Sequence, residues 1–138
     1  MRSIVFTVLL VIFFVASALA ETKEPSDQVV ALVKRLQSDR IEGVFTDFFA
    51  NSLAAEQKPN EIRATDGQVK AALDFYGRAI NYEIVETKKM GNSLITIKWI
   101  TKHKNEAPLF WNCIFYKRNG KWEPIGVLFF DNPTKAGF

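Results

Sequence analysis

The spacing of apolar residues along this chain changes from a helical period to a strand period near Asn81. Before Asn81, apolar residues recur at intervals of three and four, which predicts helices with one buried face each. The first predicted helix begins near Ser26, which can serve as its N-cap. Its apolar face carries Val29, Val30, Leu32, Val33 and Leu36.

The same spacing predicts two further helices. The second starts near Ser38 and extends to Leu53, with phenylalanines along its apolar face and Gly43 inside it. Residues 57–63 contain Pro59-Asn60 and are predicted to form a loop. The third helix begins at a capping box, Thr65-Asp66-Gly67-Gln68, and runs to about Ile80.

After Asn81, apolar and polar residues alternate, which predicts strands at 82–89 and 94–102 joined by a two-residue turn at Gly91-Asn92. Two aromatic-rich runs between Phe110 and Phe130 then flank Asn119-Gly120. This dipeptide favours a tight hairpin because a type I′ turn needs positive φ at both positions. The predicted fold class is α+β, with three N-terminal helices packed on one face of a four-stranded antiparallel meander.

Tight turns fix the register of the strands, and the register assigns side chains to faces. The predicted pairs are Cys113 with Gly126, Trp111 with Leu128, and Ile84 with Trp99. The inner face, under the helices, is then almost entirely apolar: Tyr82, Ile84, Ile95, Ile97, Trp99, Trp111, Cys113, Phe115, Trp122 and Leu128.

The outer face of the predicted hairpin is also apolar, which is unusual for an antiparallel sheet with one face in water. It carries Phe110, Ile114, Ile125, Val127 and Phe129. An exposed apolar patch of this kind indicates a partner, most simply a second copy of the chain. The alternative is that Lys117, Arg118 and the C-terminal tail 132–138 shield this face.

The first 20 residues have the pattern of a secretory signal. A basic Arg2 precedes an apolar run, and Ala18-Leu19-Ala20 is a small-x-small cleavage site. We expect cleavage after Ala20, one domain at residues 21–138, and a periplasmic or secreted protein with no membrane segment after cleavage. The alternative is a retained membrane anchor.

Composition restricts the classes of partner and site. The chain has 18 basic and 15 acidic residues, a net charge of +3, which is too weak to indicate nucleic-acid binding. Cys113 is the single cysteine, so an exported form folds without an intramolecular disulfide. The sequence predicts no cofactor and no metal site, because His103 has no clustered metal-binding partners.

Three helices, a loop and a meander that ends in an aromatic hairpin resemble the NTF2-like superfamily, also called the SnoaL or cystatin-like α+β cone. Within that group, Pro108-Leu109-Phe110-Trp111, Phe115-Tyr116-Lys117 and Gly120-Lys121-Trp122 look like segments of small exported bacterial proteins. The chain departs from many members in having no strand pair at 54–64. The resemblance implies a cone that holds a pocket between helices and sheet, in enzymes and in non-catalytic binding modules alike.

No catalytic constellation is evident in the sequence. His103, between Lys102 and Lys104, is predicted to be a solvated loop residue, and Cys113 a buried apolar one. Steroid isomerases of the superfamily use an acid and a tyrosine inside the cone. No residue here matches their motif position by position, so no role is carried over. The alternative enzyme hypothesis would use Asp66 or Asp74 as the base and Tyr76 or Tyr82 as the donor.

The leading hypothesis is therefore a non-enzymatic homodimer that holds a small apolar ligand. The aromatic set Tyr76, Tyr82, Trp99 and Trp111 would line its pocket if the cone is open, and would be core if it is filled. The alternatives are an isomerase or hydratase using a carboxylate and a tyrosine, and a periplasmic interaction or inhibitor module that uses the loop 103–108.

Overall fold

The computed structural model describes residues 23–138; the predicted signal peptide lies outside this part of the chain. Helix α1 spans Pro25–Gln37 and confirms the first predicted helix. Pro25 occupies the first turn, where its missing N–H leaves no bond unmade, and Asp27 complements the helix dipole. Val29, Leu32, Val33 and Leu36 are buried.

The second predicted helix is instead two short ones, α2 at Val44–Phe48 and α3 at Leu53–Gln57. Gly43 precedes α2 in a left-handed conformation with φ 62°, so it stands outside the helix rather than inside it. Asn51 also has φ 62° and turns the chain between the two helices. Ser52 then caps α3, and its hydroxyl accepts a hydrogen bond from Ala55 N at 3.1 Å.

Helix α4 spans Pro59–Tyr76, so both the loop predicted at 57–63 and the capping box at Thr65 were wrong. Pro59 lies in the first turn of α4, a position that favours proline. The prediction of a loop was wrong because proline occurs in loops as well as at helix starts. Thr65 lies inside the helix, where its hydroxyl donates to Glu61 O at 2.9 Å. Gly77 ends α4 with φ 83°, and a Cβ there would lie 2.8 Å from Lys104 Cβ.

Four antiparallel strands form the sheet in the order β1-β2-β3-β4, which confirms the predicted meander. They span Ala79–Met90 (β1), Leu94–His103 (β2), Pro108–Arg118 (β3) and Lys121–Phe130 (β4). The helices pack on one face of the sheet, as the α+β prediction required, and α1 contacts β1, β2 and β4.

The β3–β4 turn is the predicted one, with φ 52° at Asn119 and 74° at Gly120. The predicted register holds from this turn as far as the pair Phe115–Pro124. Beyond it, Ile125 is an extra residue in β4, and the pairing shifts by one. Pro124 has no N–H to donate to the ladder, and prolines within strands are typical of bulges and edges.

This bulge reverses the face of every later side chain in β4, so the predicted pairs Trp111–Leu128 and Cys113–Gly126 were wrong by one residue. Trp111 lies opposite Phe129 and Cys113 opposite Val127. Phe129 and Val127 therefore pack against the core. Leu128 points outward and is 52% exposed.

Between β1 and β2, two irregularities shift the register in opposite directions, and their effects cancel. The turn between β1 and β2 has three residues rather than two, because Met90 pairs with Leu94. A bulge at Val85 restores the original register, so Ile84 lies opposite Trp99 as predicted. Tyr82 and Ile84 keep the predicted face but are 36% and 37% exposed.

The tail after β4 folds back onto the outer face of the sheet. Phe138 contacts Phe110 edge to face at 5.4 Å, and the Lys98 ammonium lies 5.8 Å from the centre of the Phe138 ring. Asn112 Nδ2 donates to Ala136 O at 3.2 Å, and Ala136 is buried. The alternative expectation that the tail shields this face is confirmed around Phe110.

Candidate functional site

The interior between helices and sheet is filled by stacked aromatic side chains. The Trp99 and Trp111 rings lie parallel with centroids 5.6 Å apart. Phe129 stacks on Trp111 at 4.8 Å, and Phe45 from α2 stacks on Phe129 at 6.4 Å. Both tryptophans have no exposed surface, so neither opens to solvent as the wall of an accessible pocket would.

A chain of hydrogen bonds crosses one end of this interior. Trp111 Nε1 donates to Thr101 Oγ1 at 2.8 Å, and Thr101 Oγ1 lies 2.7 Å from His103 Nε2. His103 Nδ1 lies 2.7 Å from Gly77 O. Since a carbonyl only accepts, Nδ1 carries the ring proton, and Nε2 accepts from the Thr101 hydroxyl. With His103 neutral, Trp111 Nε1, Thr101 Oγ1 and both ring nitrogens of His103 each have a hydrogen-bond partner.

His103 is thus fully buried, and the prediction of a solvated loop residue was wrong. Burial lowers the pKa of His103, and the hydrogen bond to Gly77 opposes this only in part. The signal for burial was present in the sequence: Thr101 and His103 continue the inward alternation of Trp99, and strand β2 extends to His103 itself. Its role in the structure is to tie the end of α4 to the sheet.

The two candidate tyrosines lie on different elements. Tyr76 ends α4 and is half-buried; its ring lies 6.4 Å from His103, and its hydroxyl donates to Asp131 Oδ2 at 3.1 Å. That hydrogen bond raises the pKa of Tyr76. Tyr82 lies on the edge strand β1 and is exposed. Neither hydroxyl is bonded to Asp66 or Asp74 among the described residues.

The two candidate carboxylates both lie on helix α4. Asp66 lies on α4 and caps α2, accepting from Phe45 N at 2.6 Å and from Thr46 Oγ1 at 2.6 Å. The sequence had connected Asp66 with the start of its own helix, whereas it serves the start of another. Asp74 is exposed on α4.

Cys113 is fully buried, as predicted, between Ile97 on β2 and Val127 on β4. Burial raises the pKa of its thiol well above the ordinary value. Ile97 is six residues from His103 along β2, about 20 Å for extended chain, so the structure does not bring Cys113 and His103 together. Residues 23–138 contain no group of three or more histidine, cysteine or carboxylate side chains placed to hold a metal ion.

Two surface clefts of the described residues lie away from the predicted pocket residues. One of about 210 Å³ lies between α1 and α2 and includes the Arg35–Asp47 ion pair at 2.7 Å. Another of about 380 Å³ lies beside α3 and includes Ile125 and Tyr116. Neither is lined by Tyr76, Tyr82, Trp99 or Trp111.

Strand β1 carries several exposed apolar side chains. All of its residues after Ala79 are exposed. Ile80 is 55% exposed and Val85 49%, in addition to Tyr82 and Ile84. On β2, the residues opposite Tyr82 and Ile84 are the fully buried Thr101 and Trp99. The inner residues of β2 are therefore buried, whereas those of β1 stay exposed although α1 contacts this strand.

The five residues of the predicted dimer surface do not share one face of the sheet. Phe110 and Ile114 face outward and are half-buried, with Phe110 in contact with the tail. Ile125 is the extra residue of the bulge, while Val127 and Phe129 point into the core.

No protein-family model matches the chain, and no curated protein matches it. Among solved structures, it is similar to a crystal structure from Campylobacter jejuni described as an NTF2-like transpeptidase, at 18% identity and a TM-score of 0.55. The match covers 74% of this chain and 97% of that chain. None of the described helices is both long and apolar enough to cross a membrane. Helices packed on a four-stranded antiparallel meander, together with this similarity, give the chain the NTF2-like fold.

Proposed function

We propose that this chain is a non-catalytic NTF2-like module that acts by self-association. The observation that carries the proposal is the filled cone. Trp99 and Trp111 lie between the helices and the sheet with no exposed surface. A ligand pocket of this fold needs an accessible concave apolar surface, so the filled interior favours binding on the outside of the domain.

The positions of the polar groups support a non-catalytic role. An isomerase or hydratase would need a carboxylate and a tyrosine within hydrogen-bond reach of one substrate. Asp66 is engaged by the first turn of α2, and Tyr76 by Asp131. The name of the Campylobacter structure suggests a transpeptidase. A cysteine-dependent reaction of that class needs an accessible thiolate, and Cys113 is buried with a raised pKa.

The partner we propose is a second copy of the chain. Monomeric proteins rarely expose large apolar side chains close together, and β1 exposes Tyr82, Ile84 and Val85 within four residues. The hairpin surface is a weaker candidate, because the tail covers Phe110 and because Val127 and Phe129 lie inside.

We also propose that the protein is exported, as the first 20 residues suggest. Expression of the full chain in a bacterial host, followed by intact-mass measurement of the periplasmic fraction, tests this. A mature protein that begins at Glu21 supports cleavage after Ala20, and a full-length product held in the membrane fraction contradicts it.

Sedimentation of residues 21–138 over a wide concentration range tests self-association. We expect a monomer–dimer equilibrium, and a monomer at the highest concentrations would overturn the proposal. A parallel titration with an apolar fluorescent probe tests the filled cone. We expect no saturable enhancement of probe emission and no change in tryptophan fluorescence.

A further inference from the structure

The two edges of the sheet are protected very differently. On β4, Pro124 has no N–H to offer a neighbouring strand. Gln28 Nε2 donates to Trp122 O at 2.9 Å, which satisfies a carbonyl of this strand. Glu123 Oε1 accepts from Leu53 N at 3.0 Å and holds the start of α3 against β4. This edge is therefore occupied by other parts of the same chain.

Within the described part of the chain, strand β1 pairs with β2 alone, and no other element is hydrogen-bonded along its free edge. Among residues 23–138, the one further hydrogen bond to its backbone is local, from Tyr82 N to the Asn81 side chain at 2.8 Å. A long edge strand with unpaired N–H and C=O groups is a template for another strand. The exposed Ile84 and Val85 at its centre add apolar surface that pairing would bury.

The charges along β1 identify what this template fits. Along the strand, the acidic residues Glu83 and Glu86 come first and the basic residues Lys88 and Lys89 follow. A strand with this order is complementary to itself when two copies run antiparallel, because an acidic residue of each copy can then face a basic residue of the other. Opposite charges directly across an antiparallel pair stabilise it, and like charges destabilise it.

The faces of the sheet restrict the register further. Glu83 lies opposite Ile100 on β2, and Lys88 opposite Thr96, so both point to the outer face. Aligning Glu83 of one copy with Lys88 of the other keeps outer residues opposite outer residues. The same alignment places Ile84 opposite Thr87 on the inner face. A shift by two residues in one direction would put Glu83 opposite Glu86, which like-charge repulsion disfavours. A shift by two in the other direction would put Glu83 opposite Met90 and lose the pair with Lys88.

Two features of the strand are compatible with this alignment. In this alignment, the twofold axis that relates the two copies passes beside the bulge at Val85. The regularly pleated residues on either side of the bulge are therefore free to pair with the other copy. The two copies of Glu86 come closest to each other there. Each is already neutralised within its own protomer, because Lys98 Nζ lies 3.2 Å from the Glu86 carboxylate.

We propose that β1 of one protomer pairs antiparallel with β1 of a second copy, with Glu83 of each opposite Lys88 of the other, which joins two sheets into one of eight strands. This assignment rests on the proposed self-association and specifies where it occurs. Such an interface is isologous, and every charge pair occurs twice. It leaves the outer face of β3 and β4 and the tail outside the contact.

A charge-swap cycle measured by sedimentation equilibrium tests the assignment. Glu83→Lys sets two lysines opposite each other, and Lys88→Glu sets two glutamates opposite each other; each should raise the dimer Kd by about tenfold or more. The double variant E83K/K88E restores opposite charges and should return the Kd to within about threefold of the wild-type value. Neither side chain is buried, so the monomer fold should be unaffected, as circular dichroism can verify.

Matched controls separate this interface from other outcomes. Glu61→Lys and Lys34→Glu make the same changes in net charge at exposed helical positions and should leave the Kd unchanged. Leu128→Arg changes the exposed outer face and should also have no effect. A dimer that resists both β1 swaps but is lost in Leu128→Arg would overturn the β1 assignment and leave self-association standing. A wild-type protein that never dimerises would overturn both.

Discussion

Replacement of Thr101 by valine tests the buried hydrogen-bond chain most sharply. The Thr101 hydroxyl is the link between Trp111 and His103, and all three side chains are fully buried. Valine has almost the same shape and suits a strand, so the substitution removes hydrogen bonds and changes little else. It leaves the Trp111 N–H and the His103 Nε2 without partners in a place that water does not reach.

Each buried polar group left without a partner costs about 1–3 kcal/mol, so two of them should lower the free energy of unfolding by about 2–6 kcal/mol. For a domain of this size, that corresponds to a fall in Tm of roughly 10–25 °C.

Urea unfolding followed by tryptophan fluorescence measures the effect as a shift in midpoint at constant m-value. Thr96→Val is the matched control. It lies on the same strand but on the outer, half-buried side, and should change stability by less than about 0.5 kcal/mol. If Thr101→Val were no more destabilising than Thr96→Val, the hydrogen-bond chain would not be a stabilising feature.

Three further outcomes follow from the same packing. Phe129→Ala should destabilise the protein by about 3 kcal/mol and Leu128→Ala by less than about 1 kcal/mol, measured by urea unfolding. The reverse order would indicate that β4 has no bulge and that Leu128, not Phe129, faces the core. The pKa of His103 is lowered in the folded protein, whereas in the unfolded chain the ring binds a proton near pH 6.5. The stability that the neutral ring contributes is therefore present above pH 6.5 and is lost as the pH falls below it. In His103→Gln, this part of the acid destabilisation should disappear, and an unchanged pH profile would contradict the buried neutral ring. Asp66→Ala should cost about 1 kcal/mol through loss of the α2 cap, while exposed Asp74→Ala should be nearly neutral in thermal melts, and equal effects would argue against the cap.

The sequence predicted the features that depend on local backbone chemistry. The Asn119-Gly120 turn forms because these residues accept positive φ, and this set the start of the β3–β4 register. Alternation along β2 and β3 correctly placed Trp99 and Trp111 in the core.

The bulge at Ile125 was not predictable in the same way. Pairs predicted by counting residues outward from the turn assume a regular strand, so they do not reveal an inserted residue. The inserted residue nevertheless reverses the faces of all residues beyond it. Pro124 was the available signal, since a proline inside a strand marks an edge or a bulge. This single residue moved Phe129 from the predicted dimer surface into the aromatic stack.

Two helical errors had a related origin. Gly43 fitted the apolar period of one long helix, but its left-handed conformation separates α2 from the chain before it. Pro59 signals a loop and the start of a helix equally well, and only the packing of α4 distinguishes them. The burial of His103 likewise depends on Gly77 O, which lies 26 positions away in sequence and is brought near by the fold.

Hydrogen exchange of the wild-type protein, recorded well below and well above the concentration at which it dimerises, identifies the strand through which two copies associate. We expect alternate amides within residues 82–89 to gain protection on dimerisation, while those of β4 do not change. Protection that appears instead on β3 and β4, or no change on any strand while the protein dimerises, would contradict self-association through strand β1.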